Sequence, residues 1–316
     1  MSRKIGMVSL GCPKNQVDAE RMLAELKAAD FEITNEEEKA EVIIVNTCGF
    51  IESAKTEAIE NIIEVAAYKE SGSLKALIVT GCLAERYKDQ ILTEIPEVDS
   101  VVTIGANTKI VDIVNEALEG KKELYSAEKE KLPLTGERVL TTPFYTAYLK
   151  VAEGCNNRCS YCAIPDIRGN FRSLPIEDCI KEAEKLAEKG VKELIVVAQD
   201  TTNYGADIYG KPSLTKLLKE LTKIEGIHWI RTLYTYPDKI TDELLDLIAN
   251  EEKLVPYLDI PIQHASDRIL KKMNRRGSSA EIEALINKIR GKIPNITLRT
   301  SLITGFPDET EEDFEA

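Results

Sequence analysis

No apolar run in the 316 residues approaches the ~20 that a membrane-spanning helix requires. The opening MSRKIGMVSLGC has one short apolar stretch ending in a Gly-Cys turn, too short and wrongly flanked for a secretory signal. Positive charge is in deficit: 41 Lys and Arg stand against 54 Asp and Glu, a net charge of −13. A general electrostatic grip on nucleic acid needs the opposite balance, so neither membrane nor general nucleic-acid binding is expected. The one basic stretch, Lys271, Lys272, Arg275 and Arg276, could touch phosphate or an acidic partner and reads more simply as a solvated helix end. Histidine is scarce, with only His228 and His264. The seven cysteines are an odd number in a long chain without a secretory signal. That disfavours a disulfide framework and points to a reducing, cytoplasmic compartment and to metal or catalytic use.

What is present centres on Cys155, Cys159 and Cys162, a C-x3-C-x2-C array on a polar Gly-Asn-Ser loop. Thiolate is the ligand that iron–sulfur clusters and zinc select, and a short polar loop lets three sulfurs turn to one centre. Structural zinc usually takes four protein ligands, often as two separated pairs, and no fourth ligand follows locally. A set of reduced core cysteines fits poorly with a polar loop. A four-iron cluster on three cysteines would leave one iron open to a small molecule.

The length suggests about two domains. In the first, apolar runs at Ile5–Leu10, Val42–Asn46, Ala76–Thr80 and Val101–Ile104 alternate with amphipathic segments, predicting an open parallel sheet with helices on its faces. Asn15 is the expected N-cap of the first helix, with Asp18 three residues on; further helices are expected over 52–70, 84–95 and 108–119. Cys12, Cys48 and Cys82 each follow one of the first three strands. The carboxyl ends of parallel strands share one edge, where ligands collect, so these three sulfurs can converge as a second cluster site. Any one alone would read as a packing cysteine.

Residues 1–120 therefore read as an α/β domain, 121–142 as a charged, Gly- and Pro-broken linker, and 143–316 as a second domain. There Tyr145–Ala152 reads as a strand leading into the cysteine loop. Strands follow at 193–199, 227–233, 255–262 and 296–303, with helices at 176–189, 213–225, 241–252 and 279–290. Repeated βα units predict an incomplete (β/α) barrel with its working residues at the strand carboxyl ends. Gln199, Asp200, Tyr234, Tyr236, Gln263, His264, Thr304 and Gly305 stand there, each equally readable as a turn or cap residue. His264 reads as a proton shuttle or as a hydrogen-bonded strand-end residue, and His228, inside a strand, as structural. Cys179 shares a helix face with Ile180, Ala183, Leu186 and Ala187 and reads as core.

The array Cys155-x3-Cys159-x2-Cys162, with Tyr161 before its last cysteine, resembles the cluster signature of the radical S-adenosylmethionine superfamily. Preceded by a three-cysteine α/β domain, it is similar to the methylthiotransferase family over essentially the whole chain. Leu-Gly-Cys-Pro-Lys-Asn at 10–15 and Asp-Ile-Pro-Ile-Gln-His-Ala-Ser at 259–266 resemble the subgroup that modifies a loop aspartate of the twelfth small-subunit ribosomal protein, more than the transfer-RNA subgroup. The resemblance implies an N-terminal open-sheet domain, a partial radical-SAM barrel, two [4Fe-4S] clusters and S-adenosylmethionine. Cys155, Cys159 and Cys162 would hold the cluster whose open iron chelates the methionine amine and carboxylate; Cys12, Cys48 and Cys82 would hold the other. Tyr161 would lie near the adenine. Gln199 and Asp200 occupy the strand end that meets the methionyl amino group, although the family's Gly-Gly-Glu wording is absent. Ser301–Asp308, containing Ile303 and Gly305, resembles the adenine-side Gly-x-Ile-x-Gly-x-x-Glu element with its ends replaced, and Arg299 would pair with a carboxylate.

The implied chemistry starts with an electron from an external low-potential donor, which cleaves S-adenosylmethionine to a radical that takes hydrogen from the aspartate β-carbon. A methylthio group held at the second cluster is then inserted, so the two open irons are expected to face one cavity. The family normally completes its barrel and adds a small C-terminal β-barrel domain; the sequence stops at Ala316 as a helix begins and reads as a fragment without either. Transfer-RNA adenosine methylthiotransferase, a noncatalytic iron–sulfur carrier or scaffold, and a zinc protein are the competing readings.

Overall fold

The computed structural model describes residues 3–316, so that Met1 and Ser2 lie outside the described residues. It divides into two units, one running to Thr141 and taking in Asp166–Gly169, the other comprising Thr142–Pro165 and Asn170–Ala316.

In the first unit, β1 (Lys4–Ser9), α1 (Pro13–Ala28), β2 (Glu32–Ile33), β3 (Val42–Thr47), α2 (Glu52–Ala66), α3 (Tyr68–Ser71), β4 (Ala76–Gly81), α4 (Cys82–Tyr87), α5 (Asp89–Glu94), β5 (Ser100–Val102), α6 (Ile110–Leu118) and β6 (Glu123–Tyr125) follow one another. The strands form one parallel sheet in the order β2-β1-β3-β4-β5-β6. All six residues of β3 and of β4 are buried, the mark of a parallel strand covered on both faces. Period-two alternation divides them. Val42, Ile44 and Ile78 pack with Met22 and Leu26 of α1 and Ile110 and Ile113 of α6. Ile43, Val45, Leu77 and Val79 pack with Ala58, Ile62 and Val65 of α2 on the other side. Each such fully buried aliphatic side chain contributes about 1.5–3 kcal/mol.

Three expectations change here. The first helix starts at Pro13, with Cys12 in the N-cap position and no side-chain cap; Asn15 lies inside it, buried. Proline fits the first helical position because its missing N–H has no intrahelical partner there. The helix expected over 84–95 is two, broken at Lys88, whose φ of 37° no helix accommodates. The segment expected over 108–119 begins as a 3-10 turn at Ile104–Lys109 and becomes α-helical only from Ile110.

The stretch read as a linker is also built into the first unit. Glu123–Tyr125 supplies the sixth strand, and the chain beyond it is fastened to α1. Arg138 donates to Glu20 from Nε at 3.0 Å and Nη2 at 2.6 Å, with both side chains buried. The Thr141 N–H and hydroxyl both reach the other Glu20 oxygen at 2.9 Å, and Arg21 donates to the Leu134 carbonyl.

The second unit opens with β7 (Thr146–Lys150) and β8 (Ala152–Glu153). After α7 (Ile164–Arg168) come β9 (Arg172–Ser173), α8 (Ile176–Glu188), β10 (Glu193–Val197), α9 (Ala206–Tyr209), α10 (Leu214–Leu221), β11 (Trp229–Thr232), α11 (Asp242–Asn250), β12 (Tyr257–Asp259), α12 (Asp267–Lys272), α13 (Ser279–Lys292), β13 (Thr297–Arg299) and α14 (Glu311–Glu315). Strands β7, β10 and β11 are parallel neighbours, as are β12 and β13. A parallel bridge between Ile230 and Leu254 carries the pairing onward, and another joins Gln263 to Leu302. The strand expected at 255–262 keeps only its middle, Tyr257–Asp259, as regular strand because Pro256 and Pro261 on either side lack the N–H a ladder needs. His228 precedes β11 and is exposed, contrary to its reading as a residue inside a strand. Cys179 is fully buried on α8, as its helix face implied. No helix among the described residues is long and apolar enough to cross a membrane.

Replacing Arg138 with Met strands the Glu20 carboxylate in a buried site and should destabilise the first unit by about 3–5 kcal/mol. Replacing Glu20 with Gln at the same time should recover much of that loss. Chemical denaturation of the two variants checks this, and limited proteolysis should show cutting between 126 and 141 only in the single variant.

Candidate functional site

The carboxyl ends of β1, β3 and β4 lead directly to Cys12, Cys48 and Cys82. Each cysteine has a glycine beside it: Gly11, Gly49 and Gly81. These glycines let the strand ends close up. A Cβ at Gly11 would stand 2.8 Å from the Cys48 Cβ and 3.1 Å from its Sγ; one at Gly49 would lie 2.9 Å from the Leu83 backbone. At Gly81 it would meet the Thr47 carbonyl oxygen at 2.4 Å, and Gly81 also takes φ 92° and ψ −157°, a conformation essentially reserved for glycine. Asn15 draws the same ends together, donating from Nδ2 to the carbonyls of Leu10 at 2.8 Å and Thr47 at 3.2 Å.

The electrostatics mark the trio as neighbours. Burial pushes the Cys82 thiol up, with Cys12 and Cys48 adding to the effect and Arg168 opposing it. Burial also works against the Cys12 thiolate, but Lys14, Arg168 and the backbone N–H groups of Asn15 and Lys14 bring its pKa below the ordinary thiol value. Among the described residues, no three His, Cys, Asp or Glu side chains are grouped as ligands of a single ion. The donor set is thiolate alone, which suits iron–sulfur ligation, where each sulfur binds a different iron. None of the seven cysteines is in a disulfide.

In the second unit, Cys155, Cys159 and Cys162 lie on an irregular loop after β8, fixed from two sides. The Asn157 N–H reaches Cys155 Sγ at 3.5 Å, and its side-chain amide donates to Asp200 at 2.8 Å. The turn after α12 supplies the other side. Ser160 donates from its N–H to the Met273 carbonyl at 3.0 Å and from its hydroxyl to that of Lys272 at 2.9 Å, and Asn274 donates to the Arg158 carbonyl at 2.9 Å. Arg276 donates to Asn157 Oδ1 at 3.0 Å. Arg275 is the centre of this clamp: buried, it donates to the Tyr161 hydroxyl at 3.2 Å, the Pro261 carbonyl at 2.7 Å and Cys159 Sγ at 3.9 Å, with its guanidinium 4.3 Å from the centre of the Tyr236 ring. The reading of this basic stretch as a solvated helix end is therefore corrected at Arg275. Burial raises the Tyr161 hydroxyl and pushes Tyr236 up to about 12, with Arg275 opposing both shifts. Burial raises the Cys155 thiol; the Asn157 N–H and Lys239 oppose, while Asp200 and Cys159 add.

The remaining candidates differ in what they have left to offer. Gln199 donates to Glu153 Oε1 at 2.6 Å, while its own carbonyl oxygen is buried without a hydrogen-bond partner. Glu153 is in turn held by the buried Lys150 at 2.8 Å. Asp200 is committed internally: it accepts from Asn157, from Lys239 at 2.6 Å, from the Thr202 hydroxyl and from the Asn203 N–H. Arg299 bonds Asp259 at 2.7 Å and leaves 58% of its side chain exposed. Ile303 pairs its N–H with the Gln263 carbonyl at 2.8 Å, and Gly305 has φ 73° with open space where a side chain would stand. His264 accepts the Ser266 N–H on Nδ1 at 2.9 Å and sets Nε2 3.4 Å from Glu309, which is the hydrogen-bonded strand-end role.

The sequence pattern of the Radical SAM superfamily matches residues 149–316, and that of Uncharacterized protein family UPF0004 matches residues 4–103. A protein of Acetivibrio thermocellus named ribosomal protein uS12 methylthiotransferase RimO is 55% identical over 99% of this chain and 71% of its own length. One of the same name from Pelotomaculum thermopropionicum is 56% identical over 100% and 71%. Among solved structures, the radical S-adenosylmethionine methyltransferase TsrM of Kitasatospora setae aligns with a TM-score of 0.70 at 14% identity, covering 99% of this chain and 69% of its own. The cobalamin-dependent S-adenosylmethionine radical enzyme OxsB aligns with a TM-score of 0.64 at 13% identity, covering 99% and 51%. At those identities the likeness is one of fold.

Arg275→Met should loosen the cysteine loop without unfolding the barrel. Hydrogen exchange at the Ser160 and Cys162 amides should speed by at least tenfold while β7 and β10 stay protected, and unchanged exchange would remove Arg275 from the clamp. Cys179 provides an internal reference: burial, partly opposed by the Tyr204 hydroxyl, pushes its thiol up to about 12. At pH 8 it should be the last of the seven cysteines alkylated in the metal-free protein, as read by peptide mass mapping.

Proposed function

From a chain that belongs to the radical S-adenosylmethionine superfamily and, within it, to the family of the ribosomal protein uS12 methylthiotransferases, we infer an enzyme that transfers a methylthio group to uS12. The observation that carries this is identity above one half with relatives so named over nearly the whole chain, joined to two trios of cysteines, each fixed by its own scaffold. The acceptor atom in this reading is the β-carbon of an aspartate. No side-chain acid or base readily removes a hydrogen from so unactivated a carbon, so the reaction calls for a cofactor that generates a radical.

Cys155, Cys159 and Cys162 would hold the [4Fe-4S] cluster that binds S-adenosylmethionine, and Cys12, Cys48 and Cys82 the second one. When bound, these groups would supply reductive cleavage of S-adenosylmethionine and a site that holds the methylthio group to be inserted. The chain supplies position. Arg275 fixes Tyr161 and the Cys159 turn at once, while Asp200 and Arg276 hold Asn157 beside Cys155. The vacant, buried acceptor on Gln199 is suited to an ammonium group, and the Lys150–Glu153 pair behind it keeps the amide from rotating away. Asp200 then acts as a loop-holder and Gln199 as the cofactor contact, with Tyr161, Ile303 and Gly305 toward the adenine. Arg299 would have to share its guanidinium between Asp259 and a cofactor carboxylate. A low-potential electron donor is the further partner. The acidic balance fits a protein substrate in the cytoplasm rather than a general nucleic-acid ligand.

The test is anaerobic reconstitution followed by iron and sulfide counting on the wild type and on two triple Cys→Ala variants, one for each trio. Each variant should keep about half the iron. With dithionite, S-adenosylmethionine and uS12, the intact protein should yield 5′-deoxyadenosine and methylthiolated uS12. Unmodified uS12 alongside thiomethylated transfer-RNA adenosine would move the assignment to the other subgroup, and clusters without any cleavage of S-adenosylmethionine would leave a carrier.

A further inference from the structure

Arg168 is assigned no part in the proposed chemistry, yet the fold goes to some length to place it. It lies six residues after Cys162 in the chain, within the segment Asp166–Gly169 that packs as part of the first unit. That segment has a prepared seat. Lys129 donates to the Asp166 carbonyl, and at Gly169, with φ 77°, a side chain would strike the Glu130 carboxylate at 2.6 Å.

The guanidinium is buried, with 2% of the residue exposed. Its fork donates to three different kinds of partner: Nη1 to Asp18 at 2.5 Å, Nη2 to Asn15 Oδ1 at 2.9 Å, and Nη2 to Cys82 Sγ at 3.4 Å. Asn15 is the residue whose amide also binds the carbonyls of Leu10 and Thr47, just ahead of Cys12 and Cys48. Through Arg168 and Asn15, one hydrogen-bonded path therefore touches all three cysteine-bearing strand ends. Asp18 keeps the buried cation from standing unpaired and fixes the plane of the fork.

We propose that Arg168 is a positioning residue for the cluster site of Cys12, Cys48 and Cys82, and that its hydrogen bond to the Cys82 sulfur raises the reduction potential of the cluster held there. The inference rests on the proposed function. Donation to a ligand sulfur, with a cation behind it, favours the more electron-rich reduced state, which is one of the protein's principal levers on iron–sulfur potentials. A lysine at this position keeps the charge but lacks the planar fork that serves an aspartate, an amide and a sulfur together.

The experiment uses the full chain with Cys155, Cys159 and Cys162 replaced by Ala, so that only the first trio can carry a cluster. Its midpoint potential and reduced-state electron paramagnetic resonance spectrum are compared among Arg168, Arg168→Lys and Arg168→Met. A fourth protein combines Arg168→Met with Asp18→Asn, so that no carboxylate is left buried and unpaired. The expected result is a more negative midpoint in both Met-bearing proteins, an intermediate one with Lys, and a changed spectrum in each. Equal midpoints with iron retained would overturn the proposal. So would loss of iron from all three variants, Lys included, since that assigns Arg168 to the scaffold alone. Failure of the Arg168 parent itself to bind a four-iron cluster would instead count against the proposed function.

Discussion

The close approach of three strand ends is the constraint on which the first unit depends. Parallel strands bring their carboxyl ends to one edge, but shared placement does not make them touch. Contact requires removing side-chain volume next to each cysteine, and Gly11, Gly49 and Gly81 do this. Strand order then places Cys48 between the other two, because β3 pairs with β1 on one side and β4 on the other. Asn15 and Arg168 take up polar groups that such crowding would leave unpaired, and helix α1 presents Asn15 and Asp18 on its buried side.

The second trio meets a different difficulty, since a loop of ten residues has no ladder to hold it. Order comes from partners far away in sequence. The stretch Lys272–Arg276 binds the loop through two carbonyls, an amide and two guanidinium groups, and Asp200 binds it from the end of β10. Arg275 is placed by the left-handed Asn274, with φ 54°, at the end of a short helix. A buried guanidinium over Tyr236 holds position more firmly than a solvated lysine would, because stacking and forked donation act together.

Much of this was legible in the sequence where the signal is local. The alternation of apolar runs and helices gave the parallel sheet, the position of each cysteine after a strand gave the shared edge, and the face of Cys179 gave its burial. What the sequence hid depends on pairs distant along the chain. Asn15 resembles a cap because Asn is a common one, and only the carbonyls of Leu10 and Thr47 reveal its other task. The stretch 121–142 looks like a linker by composition, and its attachment rests on Arg138 meeting Glu20 across 118 residues. Arg275 sits in a basic run that ordinarily means solvent. The adjacent Asn274-Arg-Arg-Gly277 turn was the available hint, but a turn alone does not say what it clasps.

The order of the first sheet has a colloidal consequence. Its edges are β2 and β6, of two and three residues, while the long apolar strands β3 and β4 sit inside. Glu32 at one edge and Glu123 at the other add charge to backbone that is already too short to template a neighbour. Fibril-like growth by strand addition is thereby starved of a starting ledge, even though the sheet's interior is rich in the residues that amyloid favours.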